Sequence, residues 1–148
     1  MQSINPSVIL FRYPAACFDV RVFKNAWFGR FVRKEGISPD ALWDAVARAE
    51  QGQIDADLGG GVIKQRIARA GGGKSSGYRS MVLYRQGDKA FFVFGFAKNA
   101  QANISADEEA QFKKAARHVL ALSDESLQQL LDNGQFEEIF RNAEKIPQ

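Results

Sequence analysis

The sequence predicts an α+β domain: an antiparallel or mixed sheet of about four strands, two N-terminal helices packed on one face, and further helices at the C-terminal end. Three observations carry this. Trp27, Phe28, Phe31 and Val32, then Leu42, Val46 and Ala49, recur at helical spacing between residues that start and stop helices. From Val62 to Ala68 the period shortens to that of a strand, and Ala90 to Phe96 is apolar on both faces, as a central strand covered from each side must be. A chain of 148 residues, 45% apolar and 25% charged, builds one core and no second domain. The packed unit is placed at 18–131, between an N-terminal extension (1–17) and a C-terminal tail (132–148).

Phe18, Val20 and Val22 alternate with Asp19 and Arg21, the period of a half-buried strand. Asn25 caps the first helix and Gly36 supplies its left-handed stop. Ser38 caps the second, with Pro39 at the first helical position where a missing N–H costs nothing, and Gly52 ends it. Val62, Lys64, Arg66 and Ala68 share one side of the next strand, so Lys64 and Arg66 point the same way. A strand from Tyr78 to Arg85 returns through Gly87-Asp88 into Ala90–Phe96. Ser105 with Glu108 forms a capping box for a helix bearing Phe112, Ala116, Val119 and Leu120. Ser123 to Leu131 reads as a last short helix, after which the chain is expected to fray. With the helices mainly on one face, the other face of the sheet is left for chemistry.

Charge is distributed unevenly. Gly59 to Lys98 holds eight basic residues against the single Asp88, a net of +7 in a chain whose total is +3, whereas residues 101 to 148 carry five basic against nine acidic, a net of −4. Such polarity argues for one cationic face, and glycine runs and aromatic rings interleaved with the charges suit a phosphate polymer. Cys17 has no partner for a disulfide, and no Cys/His pairs stand at metal-ligand spacing, so no metal or cofactor is expected. No stretch approaches the roughly 18 apolar residues of a membrane span, and the apolar start at Val8–Phe11 is broken by Arg12 and Pro14 before it makes a signal peptide. A reducing cytoplasm fits these features.

Two glycine motifs lead elsewhere. Gly73-Lys74-Ser75 resembles the end of a phosphate-binding loop, but its required first glycine falls at Ala68, and strands flank it on both sides. Gly59-Gly60-Gly61 lacks the third glycine of a dinucleotide fingerprint, where Lys64 stands.

The string Asp55-Ala56-Asp57-Leu58-Gly59-Gly60-Gly61-Val62-Ile63-Lys64-Gln65-Arg66-Ile67-Ala68-Arg69, then Gly73-Lys74-Ser75-Ser76-Gly77-Tyr78-Arg79, then Phe94-Gly95-Phe96-Ala97-Lys98-Asn99, resembles the RelE/ParE superfamily of bacterial toxins, and specifically its RelE branch. Arg21-Val22-Phe23-Lys24, Trp27-Phe28 and Lys34-Glu35-Gly36-Ile37 extend the resemblance over Asp19 to Leu130. It implies an mRNA interferase of a type II toxin–antitoxin system, an endoribonuclease that cuts messages in the ribosomal A site and is silenced by a cognate antitoxin. The cut proceeds by attack of the ribose 2′-oxygen on the adjacent phosphate. That chemistry needs a base for the 2′-hydroxyl, positive charge on the nonbridging oxygens and an acid for the leaving oxygen.

Carried over residue by residue, the resemblance assigns Arg79 to phosphate charge stabilisation, and Lys64 and Arg66 to the basic strand before the loop, where a like charge disfavours protonation of a neighbouring lysine. Lys98 takes the position of a group that assists the leaving oxygen. Arg69 and Lys74 become message or ribosomal-RNA contacts, with Tyr78, Phe94 or Phe96 as stacking partners. Two features depart from the pattern: no tyrosine follows Tyr84, and the single histidine, His118, lies in a helix beyond the basic window. Two alternatives stay open, a gyrase poison like the ParE branch and a noncatalytic RNA- or ribosome-binding module. Arg79 has its own structural alternative, an ion pair with Asp55 or Asp57.

Overall fold

The computed structural model describes residues 19–69, 77–98 and 103–141. Strand β1 (Arg21–Asn25) runs directly into helix α1 (Ala26–Glu35), because the Asn25 side chain accepts the Phe28 N–H at 2.8 Å and Gly36, at φ 70°, stops the helix. Helix α2 (Pro39–Glu50) begins at the Ser38 cap, whose hydroxyl accepts the Ala41 N–H at 3.2 Å. Caps of this kind each contribute about 1 kcal/mol and fix where a helix starts. Strands β2 (Ala56–Gly59), β3 (Val62–Ile67), β4 (Tyr78–Arg85) and β5 (Lys89–Ala97) follow. Helix α3 (Ala106–Val119) opens on the Ser105/Glu108 capping box, helix α4 (Asp124–Asp132) on Ser123, and a short strand β6 (Phe136–Ile139) closes the described chain.

The strands form one mixed sheet in the order β2-β3-β4-β5-β1-β6. β2 through β5 are antiparallel neighbours, while β1 lies parallel to β5 and antiparallel to β6. β5 is central, as its apolar run requires, with Phe91 and Phe92 both fully buried on opposite faces. On one face Val22, Ile63, Ile67, Val82 and Phe92 pack beneath Phe28, Val32, Leu42 and Val46 of α1 and α2. On the other, Phe23, Val62, Leu83 and Phe91 pack beneath Ala116 and Val119 of α3, Leu120 just past its end and Leu127 of α4.

Four features differ from the sequence reading. The sheet has six strands rather than about four. The second face is not left bare, because α3 and α4 cover its half nearest the β4–β5 turn. The segment expected to fray after Leu131 supplies β6, held by Arg21, which donates from Nε and Nη2 to the two carboxylate oxygens of Glu138 at 3.0 and 2.8 Å, and by the Trp43 indole N–H on the Ile139 carbonyl at 3.1 Å. The Glu138 hydrogen bond also raises the Arg21 pKa, against the opposing effect of burial. Lys89, one of the eight basic residues counted toward the cationic face, is buried with its ammonium on Asp88 at 3.1 Å. Phe18, the first residue of the predicted β1 pattern, lies outside the described residues.

Candidate functional site

Register decides which cations meet. Across β3, β4 and β5, Arg66 stands opposite Arg79 and Arg79 opposite Phe96, while Lys64 stands opposite Met81 and Met81 opposite Phe94. Alternation puts all six on the face that carries Val62 and Leu83. Lys64, Arg66 and Arg79 are each half-buried. Helix α3 shelters the Leu83 and Phe91 end of this face and reaches the row only at its first turns, where the Phe112 ring lies 5.8 Å from Phe94. What remains open is a strip of cations over an aromatic floor. Two other basic residues of the charged window, Arg85 and Lys89, sit at the opposite end of the strands, six residues or about 20 Å from Arg79. Both engage Asp88 there.

Two of the three cations are anchored. Lys64 donates to the Asn103 side chain at 3.2 Å, just ahead of the α3 cap. Arg66 belongs to a network at the strand edge past the end of β2: its backbone N–H donates to Asp55 at 2.6 Å, its Nε lies 3.6 Å from the same carboxylate, and its carbonyl accepts from Arg48 at 2.5 Å. Arg48 also lies 3.8 Å from Asp55. Gln65, 1% exposed, bolts the network to α2 by donating to the Ala45 carbonyl at 2.9 Å and accepting the Asp55 N–H at 2.7 Å. The structure thus gives Asp55 to Arg66 and Arg48, and Asp57 to the Gly59 N–H at 2.9 Å, so neither acid neutralises Arg79. Among the described residues the Arg79 side chain makes no ion pair, and its Nη1 is buried without a hydrogen-bond acceptor. Two arginines facing one another on adjacent strands, one with an unmet donor, are an unfavourable arrangement that a bound anion would relieve.

The remaining predicted residues separate. Tyr78 and Arg79 are consecutive on β4 and therefore face opposite ways. Tyr78 is 4% exposed on the α1 side, edge-on to Phe31 at 5.7 Å, with the Arg69 guanidinium 5.1 Å above its ring. Its assignment as a stacking partner for RNA is corrected, since no free ring face is left, and Arg69 is drawn away from the strip with it. Lys98 is exposed at the end of β5, where its N–H continues the ladder to the Gly77 carbonyl at 3.3 Å and alternation returns it to the Phe96 side. Phe96 is buried at 5% and Phe94 is half-buried, so both serve chiefly as floor. Lys74 lies outside the described residues. His118 is exposed on α3, away from the strip.

The glycine triplet also acquires a structural role. Gly59, Gly60 and Gly61 turn β2 into β3 with φ of 85°, 65° and 86°, and a Cβ on Gly61 would come 2.9 Å from Leu120, just past the end of α3. The turn needs glycine for its left-handed backbone and for α3 to lie close over it. Sequence reasoning missed Arg48, Gln65 and Asn103. Only Gln65 left a signal, a polar residue at an inward position of the β3 alternation.

Among the described residues no group of three or more histidines, cysteines or carboxylates is placed to hold a metal ion, and no helix is long and apolar enough to cross a membrane. No curated protein sequence matches the chain. A protein-family model does, that of the RelE toxin of the RelE/RelB toxin–antitoxin system, over residues 20–139. The matched span runs from just before β1 to the last residue of β6, and so takes in the whole sheet together with the strip of cations across it. On that match the chain belongs to the RelE toxin family.

Proposed function

We propose that this toxin arrests translation by cutting messenger RNA on the ribosome, with the strip of Lys64, Arg66, Arg79 and Lys98 gripping one ribose-phosphate link. The 2′-oxygen attacks the adjacent phosphorus and passes its proton to a water molecule; a new O2′–P bond forms as the P–O5′ bond breaks, and the departing 5′-oxygen takes up a proton from Lys98. The products are a 2′,3′-cyclic phosphate and a free 5′-hydroxyl. Arg79 and Arg66 offset the charge that builds on the nonbridging oxygens, Lys64 holds the neighbouring backbone, and Lys98 protonates the leaving oxygen. The strip itself carries neither an imidazole nor a carboxylate, so positioning by the ribosome supplies much of the acceleration and free RNA is a poor substrate.

The observation that carries this reading is Arg79: half-buried, opposite Arg66, free of the acids near it, with a donor left without an acceptor. An RNA phosphate supplies what is missing. The same exposed charge calls for a cytoplasmic antitoxin whose acidic segment covers the strip or blocks entry to the ribosome. Primer extension on a message in a translating extract tests the proposal. Discrete cuts in phase with codons are expected; gyrase-linked DNA breaks would favour the poison, and neither signal a noncatalytic binding module.

A further inference from the structure

Asp55 stands at the edge of the strip and takes no part in the chemistry proposed for it. Beyond the Ala56–Lys64 pair, β3 has no strand on its outer side among the described residues, yet both outward backbone groups of Arg66 are met. Its N–H donates to the Asp55 carboxylate at 2.6 Å, and its carbonyl accepts from Arg48 at 2.5 Å. Two side chains thus fill the place of a strand neighbour. Because the N–H and carbonyl of Arg66 both face outward, Arg66 and Arg79 form a non-hydrogen-bonded pair of the β3–β4 ladder, the kind whose side chains stand closest. Like charges on such a pair repel, and Arg66, at the sheet edge, has room to swing away. Asp55 opposes that movement. The carboxylate oxygen that does not take the N–H lies 3.6 Å from Arg66 Nε, so one group holds both backbone and guanidinium. Asp55 is itself fixed by its N–H on the buried Gln65 side chain at 2.7 Å, and by Arg48 at 3.8 Å.

We infer that Asp55 is a positioning residue for cleavage: it keeps the Arg66 guanidinium beside that of Arg79, so that both bear on one phosphate. The inference rests on the proposed cleavage reaction. Without Asp55 two arginines that repel would have to be gathered as the message binds. With it the pair is assembled beforehand, and preorganised charge is what speeds a reaction that builds charge on oxygen. Arg48 adds a second cation on the same carboxylate, so Asp55 restrains Arg66 without making the edge acidic.

The test is a double-mutant cycle in single-turnover cleavage on programmed ribosomes, comparing wild type, Asp55→Ala, Arg66→Met and the double variant over a range of protein concentrations. Asp55→Ala should slow the saturated rate roughly ten- to a hundredfold and leave the half-saturating concentration within about twofold. In the Arg66→Met background the same change should cost no more than about twofold, because no guanidinium is left to hold. Asp55→Asn keeps an acceptor for the N–H but not the charge; it should lose about fivefold, and it takes the place of the alanine variant if that one fails to fold. Hydrogen exchange gives a readout that needs no message. The Arg66 amide should exchange roughly tenfold faster in Asp55→Ala, while the Ile63 and Gln65 amides, which face β4, stay slow. The inference is overturned if Asp55→Ala cuts at the wild-type rate, if its loss is the same with and without Arg66, or if only the half-saturating concentration moves. It is also overturned if exchange quickens alike along β3, which would make Asp55 purely structural. A wild-type protein that cuts no message, with the Arg66 amide responding as expected, would overturn the cleavage reading and reduce Asp55 to a clamp on the sheet edge.

Discussion

Replacing Arg79 by methionine should make the protein more stable and inactive at once. The guanidinium buries Nη1 with no acceptor among the described residues, a burden of about 1–3 kcal/mol for an unmet donor, and it opposes Arg66 across the β3–β4 ladder for roughly 0.2–1 kcal/mol more. Methionine keeps the apolar stem on the Phe96 side and removes both terms. After some loss of packing the net gain should be about 1–2 kcal/mol, or a rise in Tm of roughly 3–8 °C for a domain of this size. Removing one preorganised donor from a developing oxyanion should slow cleavage by about 10²–10³. Thermal unfolding followed by circular dichroism reads the first effect and single-turnover cleavage the second. A lower Tm would show that Arg79 holds the fold together, and an unchanged rate would remove it from the reaction.

Other predictions concern the frame around the site. The buried Tyr84 hydroxyl donates to Glu50 at 2.5 Å, and burial first, then this carboxylate, push the phenol pKa above its ordinary 10. Tyr84→Phe should therefore cost about 1–2 kcal/mol at neutral pH. That gap should hold up to pH 10, where both states keep the proton, and narrow above it as the unfolded chain ionises first; urea titrations on either side of pH 10 check the sign. Glu138→Ala should cost about 1 kcal/mol, since the paired Arg21 is partly exposed, and should speed hydrogen exchange in β6 while leaving β4 protected. Gly61→Ala should lower stability by roughly 1–2 kcal/mol in a denaturant titration, because its φ of 86° is left-handed and its new Cβ meets Leu120.

What could be read from the sequence was local. Asn25, Ser38 and Ser105 mark their helices because a cap and its N–H partner lie within three residues of one another, and Gly36 marks a stop for the same reason. β6 was hidden because Glu137 and Glu138 look like solvated charges until Lys24 and Arg21 reach them from the far end of the chain. β2 was hidden by its length, four residues that make sense only as the partner of β3. For the site, the pairing of Lys64 with Arg66 on one face was legible from spacing alone. Their meeting with Arg79 depends on the β3–β4 register, which no local pattern states. Tyr78, as the neighbour of Arg79 in a strand, has to point the other way, which alternation alone states.

The most direct measurement is the chemistry of the ends. Purified protein is incubated with an identical message either on programmed ribosomes or free in solution, and the new 3′ ends are tested for a 2′,3′-cyclic phosphate. Cyclic ends are expected on the ribosome, with little cutting of free RNA, and both signals should collapse in Arg79→Met. Cuts that leave a 3′-hydroxyl, or cyclic ends made equally well by Arg79→Met, would contradict a reaction run by this strip of cations.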